Sequence, residues 1–436
     1  MLDVEDMRRD EQQDNAGSGG VVLRSGPFAA WQHRDYRLLI IGQAIATVGR
    51  QMQTVAITYQ VYQLHHSAFE LGLLGLIRLV PTLVLSLAGG VLADRVDRRR
   101  LLLITQPILL CCSLALVLTT LFGLASLIVI YAITAVSATV STVDDPTRDA
   151  LLPALVPRVH LANALSWNIT IAEVATIGGP ALGGLAIGVV GIAGTYAGET
   201  VSFAVVIVTL LLMRARLGAA AIEEAGGWQA AVEGLRFIRG NRIILAIMSL
   251  DFSATFWGSA TVLLPVFADQ IFHVGPQGLG LLFSAPAVGS VLGAVAMTAV
   301  SHRIRKPGWP LLSALIVYGL ATAAFGLSRT LPFALIALAV IGMADTIGMT
   351  LRSQILQLLT PDALRGRVTA AEQLFTGGGP QAGQLKAGAV AARFGAPFSV
   401  VSGGVACVLT VAIIAWLVPA IRRYEGEEEE RARIEL

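Results

Sequence analysis

The chain has 436 residues, of which 55% are hydrophobic and only 14% are charged, and its formal net charge is +2. A soluble protein carries about 25% charged residues, so most of these side chains do not meet water and a soluble enzyme is excluded. The small net charge predicts neither a nucleic-acid partner nor an acidic one. The six histidines show no metal-ligand spacing, and the three cysteines lie in apolar runs. We therefore predict no metal site and no cofactor.

The two ends of the chain are polar. Residues 1–36 are mixed in charge and rich in glycine, and no basic start leads into an apolar core, so this segment is not a signal peptide. We predict that it is a cytoplasmic tail. Residues 420–436 are predicted to form a second cytoplasmic tail.

Between the tails, the sequence predicts an all-α integral membrane protein. A helix needs about 20 apolar residues to cross a bilayer, and six such runs lie in 37–213 and six in 243–419. The predicted helices 1 to 12 are 37–62, 70–93, 101–122, 125–147, 161–189, 194–213, 243–267, 277–300, 308–328, 331–357, 368–392 and 397–419. The interval 214–242 predicts a linker with an amphipathic helix on the cytoplasmic surface. The result is two pseudo-symmetric six-helix bundles.

Basic residues concentrate in alternate loops. They follow predicted helices 2, 4, 8, 10 and 12 and crowd the linker, whereas the alternate loops carry almost only Arg329 and Arg393. The positive-inside rule then places both termini and the linker of this multi-pass protein in the cytoplasm.

A glycine-proline motif occurs once in each predicted bundle. "ATIGGPALGGLAIG" (175–188) contains Gly179, Pro180, Gly183 and Gly184, and the first three recur 200 residues later in "FTGGGPQAGQLKAG" (375–388). The recurring residues are Gly379, Pro380 and Gly383. Glycines let membrane helices pack closely, and repeated halves are typical of secondary transporters, with the substrate path between them. Neither copy has the Lys-Ser/Thr of a nucleotide loop, so transport must draw on an ion gradient, which we expect to be protons.

The loop after predicted helix 2 reads "GGVLADRVDRRR" (89–100) and places six charges in seven residues. Two interpretations remain open: a basic anchor at the membrane surface, or a latch that closes the cytoplasmic side and releases it during transport. The residues of the candidate latch are Gly90, Asp94, Arg95, Arg98 and Arg99.

These motifs carry a resemblance. "GGVLADRVDRRR" resembles the Gly-x-x-x-Asp-Arg-x-Gly-Arg-Arg loop of the major facilitator superfamily, with Asp97 where glycine is usual. "GPALGG" resembles the Gly-Pro-x-x-Gly-Gly signature of its exporters, although Ala175 replaces an earlier glycine. "TPDALRGRV" (360–368) is similar to the enterobactin-exporter-like and multidrug efflux branch. The resemblance implies the major facilitator fold and a location in the bacterial inner membrane, and it makes helices 1, 4, 7 and 10 the lining of the cavity.

Several ionisable residues fall inside predicted helices, where such residues are costly and often functional. We expect Glu173 to be held charged by Arg50 or Arg78, and Asp251 or Asp345 to take up and release a proton as its exposure alternates. The alternative is that all five form structural ion pairs.

Other charges are expected to play smaller parts. Asp144 and Asp145 lie too near the cytoplasm to reach Arg50 and should pair locally with Arg148. Glu199 and Asp269 are expected to be solvated, and Lys386 to extend its ammonium toward the membrane surface.

The expected cavity also holds aromatic and polar side chains. They are Gln43, Tyr59, Phe252, Phe256, Trp257 and Met349. Such a mixture suits bulky amphipathic compounds better than sugars.

The sequence thus favours a monomeric, proton-coupled exporter that moves drugs, siderophores or similar small molecules across the lipid bilayer by alternating access. A proton-coupled uptake symporter and a lysolipid flippase remain alternatives. A membrane enzyme or sensor has little support, because the chain has no His-Glu-x-x-His or Gly-x-Ser-x-Gly motif and no catalytic residues are assigned.

Overall fold

A computed structural model describes residues 26, 28–95, 97–214, 236, 238–300, 304, 306–361 and 364–423. Within these ranges, the side chains of 85–95, 158, 365–367, 369–377 and 423 are not described. The predicted tails lie almost wholly outside the described residues, and so does most of the linker with its predicted amphipathic helix.

The described part of the chain is helical and contains no strand, which confirms the predicted all-α membrane fold. The helices are α1 Arg34–His65, α2 Ala68–Arg95, α3 Arg98–Leu121, α4 Leu127–Leu151, α5 (158–190) and α6 (192–212) within Arg158–Leu212, α7 Arg242–Trp257, α8 Gly275–Val300, α9 Gly308–Leu327, α10 Leu331–Leu359, α11 Arg365–Phe394, α12 Ala396–Leu417 and the short α13 Pro419–Arg423. Each of α1 to α12 corresponds to one predicted helix.

Length and composition make eight helical segments of the described chain apolar enough to span a membrane, and one of these, Val159–Leu212, contains both α5 and α6. Helices α1, α2 and α11, with 32, 28 and 30 residues, lie alongside them. Because successive helices reverse direction, the first and last helical residues lie at one end of the molecule. We call this end the terminal face and the opposite end the distal face.

Side-chain caps begin several helices. Asp97 accepts a hydrogen bond from the Arg100 backbone N–H at 3.1 Å and so starts α3. Asn241 accepts from the Ile243 N–H at 3.0 Å and starts α7. Each cap satisfies a backbone donor that a helix start leaves without an intrahelical partner.

The predicted loop between helices 5 and 6 reduces to a sharp reversal at Gly191, whose φ is 75°. A Cβ placed on Gly183 would lie 2.9 Å from the Met52 Cα, and one on Gly49 would lie 3.0 Å from the Ser202 Cβ. Helices α5 and α6, on either side of Gly191, therefore both pack against the same part of α1. Glycine adopts this left-handed φ without steric cost, so the chain can turn back within one residue.

Helix α7 is shorter than the predicted helix 7 (243–267). It ends at Trp257, and three helical turns of different pitch follow: Thr261–Leu263, Leu264–Val266 and the π-turn Phe267–Ile271. The break frees carbonyl groups at the end of α7, and the Lys386 side chain, described below, binds the one of Trp257.

The repeated glycine motif packs in the same way in both halves. In α5, a Cβ on Gly179 would lie 2.6 Å from the Gln51 Cβ, so this helix packs closely on α1. In α11, a Cβ on Gly383 would lie 2.9 Å from the Phe256 Cα, so this helix packs closely on α7. Both motifs lie inside continuous helices, and the sequence repeat is therefore a repeat of helix packing.

The same two helices also join the halves. A Cβ on Gly184 of α5 would lie 2.8 Å from the Gly280 Cα of α8, and one on Gly72 of α2 would lie 3.0 Å from the Gly388 Cα of α11. All four glycines lie near the distal ends of their helices. We call these two contacts the distal seam. They hold the halves together backbone to backbone at the distal face.

Candidate transport site

The intramembrane ion pairs begin with Arg50 of α1, whose Nη1 lies 2.7 Å from the Asp145 Oδ1 of α4. The two side chains are 33% and 52% exposed, so water reaches the pair. The expectation that Asp145 lies too near the terminal face to reach Arg50 is wrong. That expectation considered only the depths of the two backbones in the membrane. The long arginine side chain spans more than one helical turn and bridges the difference in depth.

Asp144 is deeply buried beside this pair. Its carboxylate accepts hydrogen bonds from Thr105 Oγ1 at 2.5 Å and Gln106 Nε2 at 2.8 Å, and it forms an ion pair with Arg148 one turn along α4. The expected local pairing is confirmed for Asp144. Because its oxygens are well satisfied, this cluster fastens α3 to α4.

Asp251 of α7 forms an ion pair with Arg352 of α10, and their side chains are only 16% and 6% exposed. The sequence analysis considered Asp251 as a proton carrier. The contact instead joins two helices of the second half, as expected for the structural alternative, and the proton-carrying role stays a prediction.

Asp345 lies two turns from Arg352 on α10 and is exposed, as is Met349 one turn away on the same face. No ion-pair partner of Asp345 occurs among the described residues. It is an acidic group in a membrane helix, exposed at the protein surface and chemically able to gain or lose a proton.

Glu173 and Arg78 are not brought together with Arg50 as predicted. Glu173 is exposed on α5, and Arg78 is partly exposed on α2. Within the described chain neither forms an ion pair. The predicted Arg50–Glu173 and Arg78–Glu173 pairs are wrong for this conformation, and the functional role of each residue stays a prediction.

Lys386 of α11 turns inward, contrary to the expectation that it reaches the membrane surface. Its Nζ donates to the Trp257 carbonyl oxygen at 3.1 Å and lies 5.0 Å and 5.7 Å from the ring centres of Trp257 and Phe256. An ammonium favours both the carbonyl end of a helix and the face of an aromatic ring. Lys386 therefore caps the broken end of α7.

The predicted cavity residues do not form one common lining. Phe252 and Met349 are 36% and 60% exposed, as a cavity lining requires. Phe256 and Trp257 instead face Lys386, and Tyr59 packs against the hydrophobic core. Gln43 on α1 is half-buried. The break after Trp257 explains the difference, because it lets the end of α7 turn toward α11.

Glu199 of α6 is the residue that sequence reasoning missed. It was expected to be solvated, but it is 1% exposed and accepts a hydrogen bond from Ser113 Oγ of α3 at 3.0 Å. Asp269 is exposed as expected and accepts from the Tyr62 hydroxyl at 3.2 Å. The expectation for Glu199 was wrong because it assumed a loop between helices 5 and 6. The chain instead reverses at Gly191, and α6 packs tightly against α1.

At the terminal face, two arginines of the candidate latch bind helix ends of the first half. Arg98 Nη1 donates to the Ala150 carbonyl oxygen at 2.9 Å, and Arg99 Nε donates to that of Leu210 at 3.0 Å. Cations there complement the negative ends of α4 and α6. Gly90, Asp94 and Arg95 lie in the last turns of α2, where side chains are outside the described part, so the latch itself stays a prediction.

The arrangement suits transport rather than bond chemistry. The halves meet at the distal seam. The charged side chains that remain at least partly exposed lie no nearer to the distal face than this seam; they are the Arg50–Asp145 pair, Glu173 and Asp345. No group of three or more His, Cys, Asp or Glu in the described chain could hold a metal ion. The available chemistry is charge pairing and proton exchange.

Comparisons with known proteins agree with this architecture. Residues 25–434 match a family described as transmembrane secretion effector. The chain is 25% identical to an enterobactin exporter of Citrobacter koseri over 392 residues, which cover 90% of this chain and 94% of that protein. It is also 25% identical to an enterobactin exporter of Escherichia coli O1:K1 / APEC over 336 residues, covering 77% and 80%.

Solved structures are similar in fold. A bacterial homologue of the iron transporter ferroportin in the inward-facing state has a TM-score of 0.68 at 16% identity, covering 87% of this chain and 98% of that one. A POT family transporter in complex with 5-aminolevulinic acid has a TM-score of 0.73 at 12% identity, covering 89% and 97%. These likenesses concern the fold alone. With nearly its whole length matched, the chain is a multi-pass membrane protein that belongs to the transmembrane secretion effector family of major facilitator transporters.

Proposed function

We propose that this protein is a proton-coupled exporter of amphipathic small molecules of the drug or siderophore type. It acts as a monomer, without a cofactor and without catalytic activity, in the inner membrane of a bacterium. One observation carries the proposal: the halves join at the distal seam, while charged side chains between the seam and the terminal face stay exposed. Such a shape takes a substrate from the terminal side, and opening of the seam would release it on the other.

The direction of transport rests on the orientation. The basic loops assign the terminal face to the cytoplasm by the positive-inside rule, so the open side faces the cytoplasm. The two relatives named as enterobactin exporters support outward movement of a siderophore-like compound.

Proton coupling rests on Asp345, an exposed carboxyl in α10 without an ion-pair partner in the described chain. Ion gradients can drive transport through a carboxylate whose surroundings alternate between wet and desolvated. We expect Asp345→Asn to abolish pH-driven efflux, because asparagine keeps the shape but cannot carry a proton.

The test combines cells and vesicles. A sensitised bacterial host lacking its own exporters is challenged with a panel of drugs and siderophores, and the compounds found are then followed in proteoliposomes under an imposed pH gradient. Asp269→Asn is the matched control, since Asp269 is an exposed carboxyl at the distal face outside the proposed mechanism, and asparagine keeps an acceptor for the Tyr62 hydroxyl. Equal expression and elution profiles of the two variants establish that folding is intact.

Each outcome decides one part of the proposal. Full resistance with Asp345→Asn would remove this residue from the mechanism. Efflux that ignores the pH gradient would overturn proton coupling, and proton-driven accumulation in the cytoplasmic direction would make the protein an uptake symporter.

A further inference from the structure

Glu199 has neutral partners in its buried position between α1, α3 and α6. Ser113 donates to Glu199 Oε2 at 3.0 Å, and the side chain of Gln53 on α1 lies beside the carboxyl group. Three titratable groups face it: Arg50 on α1, Cys112 on α3 and Tyr196 on α6 itself. Of these only Arg50 is a cation.

The backbone of α1 brings Arg50 to the level of Glu199. A Cβ placed on Gly49 would lie 3.3 Å from the Glu199 Cα, so α1 and α6 touch at this point. Arg50 is the next residue along α1. Its side chain thus starts beside Glu199 and extends toward the terminal face to reach Asp145.

Arg50 therefore lies between two carboxyl groups on different helices. In the present conformation the guanidinium binds Asp145, whose side chain is 52% exposed. Glu199, at 1% exposure, forms no ion pair with any residue of the described chain. A rotation of the Arg50 side chain would exchange the exposed partner for the buried one without moving a helix.

We propose that Glu199 is a proton-binding carboxyl of the first half and that Arg50 switches between Asp145 and Glu199 to load and unload it. The inference rests on the proposed proton coupling and extends it to α6. Substrate binding starts the switch. A basic or hydrogen-bond-donating group of the transported molecule takes the place of Arg50 at Asp145.

The switch ties proton release to substrate binding. While Arg50 holds Asp145, no countercharge favours the carboxylate form of Glu199. When a substrate group occupies Asp145, the freed guanidinium pairs with Glu199 and favours its ionised form. The carboxyl O–H bond then breaks, and the proton passes to water beside Arg50, whose side chain is 33% exposed. Substrate enters as a proton leaves toward the terminal side, which is the exchange that an exporter driven by protons requires.

The experiment uses the full chain in lipid nanodiscs and needs no substrate. Infrared difference spectra recorded between acid and alkaline pH report the carbonyl stretch of protonated carboxyl groups. Glu199→Gln keeps the side-chain volume and an acceptor for Ser113, and we expect it to lose one such band. Glu70→Gln is the matched control, because Glu70 pairs with His65 at the distal face of the same half; it should keep that band.

Asp145→Asn tests the switch itself. It frees Arg50 as substrate binding would, so the Glu199 band should vanish at a pH lower by about one to three units than in the unmodified protein. Glu199→Asp, which keeps the acid on a shorter stem, replaces Glu199→Gln if the amide variant does not fold. A band unaffected by Glu199 substitution, or an unchanged titration in Asp145→Asn, would overturn the inference.

Failure of the proposed function has a different signature. If the unmodified protein shows no pH-dependent transport while the Glu199 band still follows Asp145, the switch stands and proton coupling is wrong. If transport follows the pH gradient but Glu199→Gln leaves both the spectrum and the coupling unchanged, only the Glu199 switch is wrong.

Discussion

At the scale of single residues, the ionisable side chains pair according to their reach as well as their depth. Glu173 was expected to pair with Arg50 or Arg78, but Arg50 binds Asp145. Arg352 reaches Asp251 on another helix. The sequence identifies which residues are costly in a membrane. It cannot assign their partners, because side-chain direction depends on helix rotation and on helix ends that apolar runs define only to within a turn.

The contribution of the Asp251–Arg352 ion pair to the stability of the protein can be measured directly. Removing one member of a buried ion pair leaves the other charge uncompensated, so we expect Asp251→Asn to lower the free energy of unfolding by about 3–5 kcal/mol. The double variant Asp251→Asn/Arg352→Gln should recover most of that loss. Thermal unfolding in detergent supplies the values for the double-mutant cycle.

If Asp251→Asn is as stable as the unmodified protein, the pair is not a structural fastener. Loss of pH-driven efflux in that stable variant would instead assign Asp251 to proton transfer, as the sequence analysis considered.

At the scale of helices, the glycine repeat was predicted well and the break in α7 was not. A close helix contact requires small residues at fixed spacing, so the sequence shows it directly in Gly179, Gly183, Gly379 and Gly383. Gly258 and Pro265 follow Trp257 and are possible helix breakers. Membrane helices tolerate both residue types, and the hydropathy of the segment does not distinguish a break from a continuous helix. The same holds for Gly191, where a full reversal replaces a loop.

The distal seam gives a second prediction. Gly184→Ala introduces a Cβ that would meet the backbone of α8, and overpacking of this kind costs about 1–3 kcal/mol. We expect it to favour the conformation in which the distal face is open. Gly178→Ala is the matched control, since a Cβ there would have no atom within 4 Å.

Spin labels at Leu124 and Leu327, both exposed at the distal face, report the separation of the halves in a background without the three native cysteines. The distance distribution should lengthen in Gly184→Ala and stay unchanged in Gly178→Ala. Identical distributions in both variants would show that the seam does not control access.

At the scale of the whole molecule, hydropathy and repetition were sufficient to predict the fold. Twelve apolar runs and a motif repeated after 200 residues define two related bundles, because a membrane admits only fully hydrogen-bonded helices in such a chain. The sequence could not predict which side of the molecule is open, because the inward-open and outward-open states of a transporter contain the same helices.

Orientation is the remaining prediction at this scale. A fluorescent protein fused after Leu436 should fluoresce in intact bacteria, because it folds in the cytoplasm. Alkaline phosphatase inserted at Arg329 should be active, because this loop lies at the distal face and enzymes of this type need the oxidising exterior. The reverse pattern would show that the terminal face lies outside the cell, and the proposed direction of transport would then be inward.

The distal seam has a consequence for the speed and reversibility of the transport cycle. Its central contacts join Gly184 to Gly280 and Gly72 to Gly388, which have no side chains to order. Fixing a long side chain on closure costs up to about 2 kcal/mol of rotamer entropy, whereas glycine loses none. The seam can therefore part and close many times with little conformational entropy at stake, and each closure finds the same backbone register without a search among rotamers.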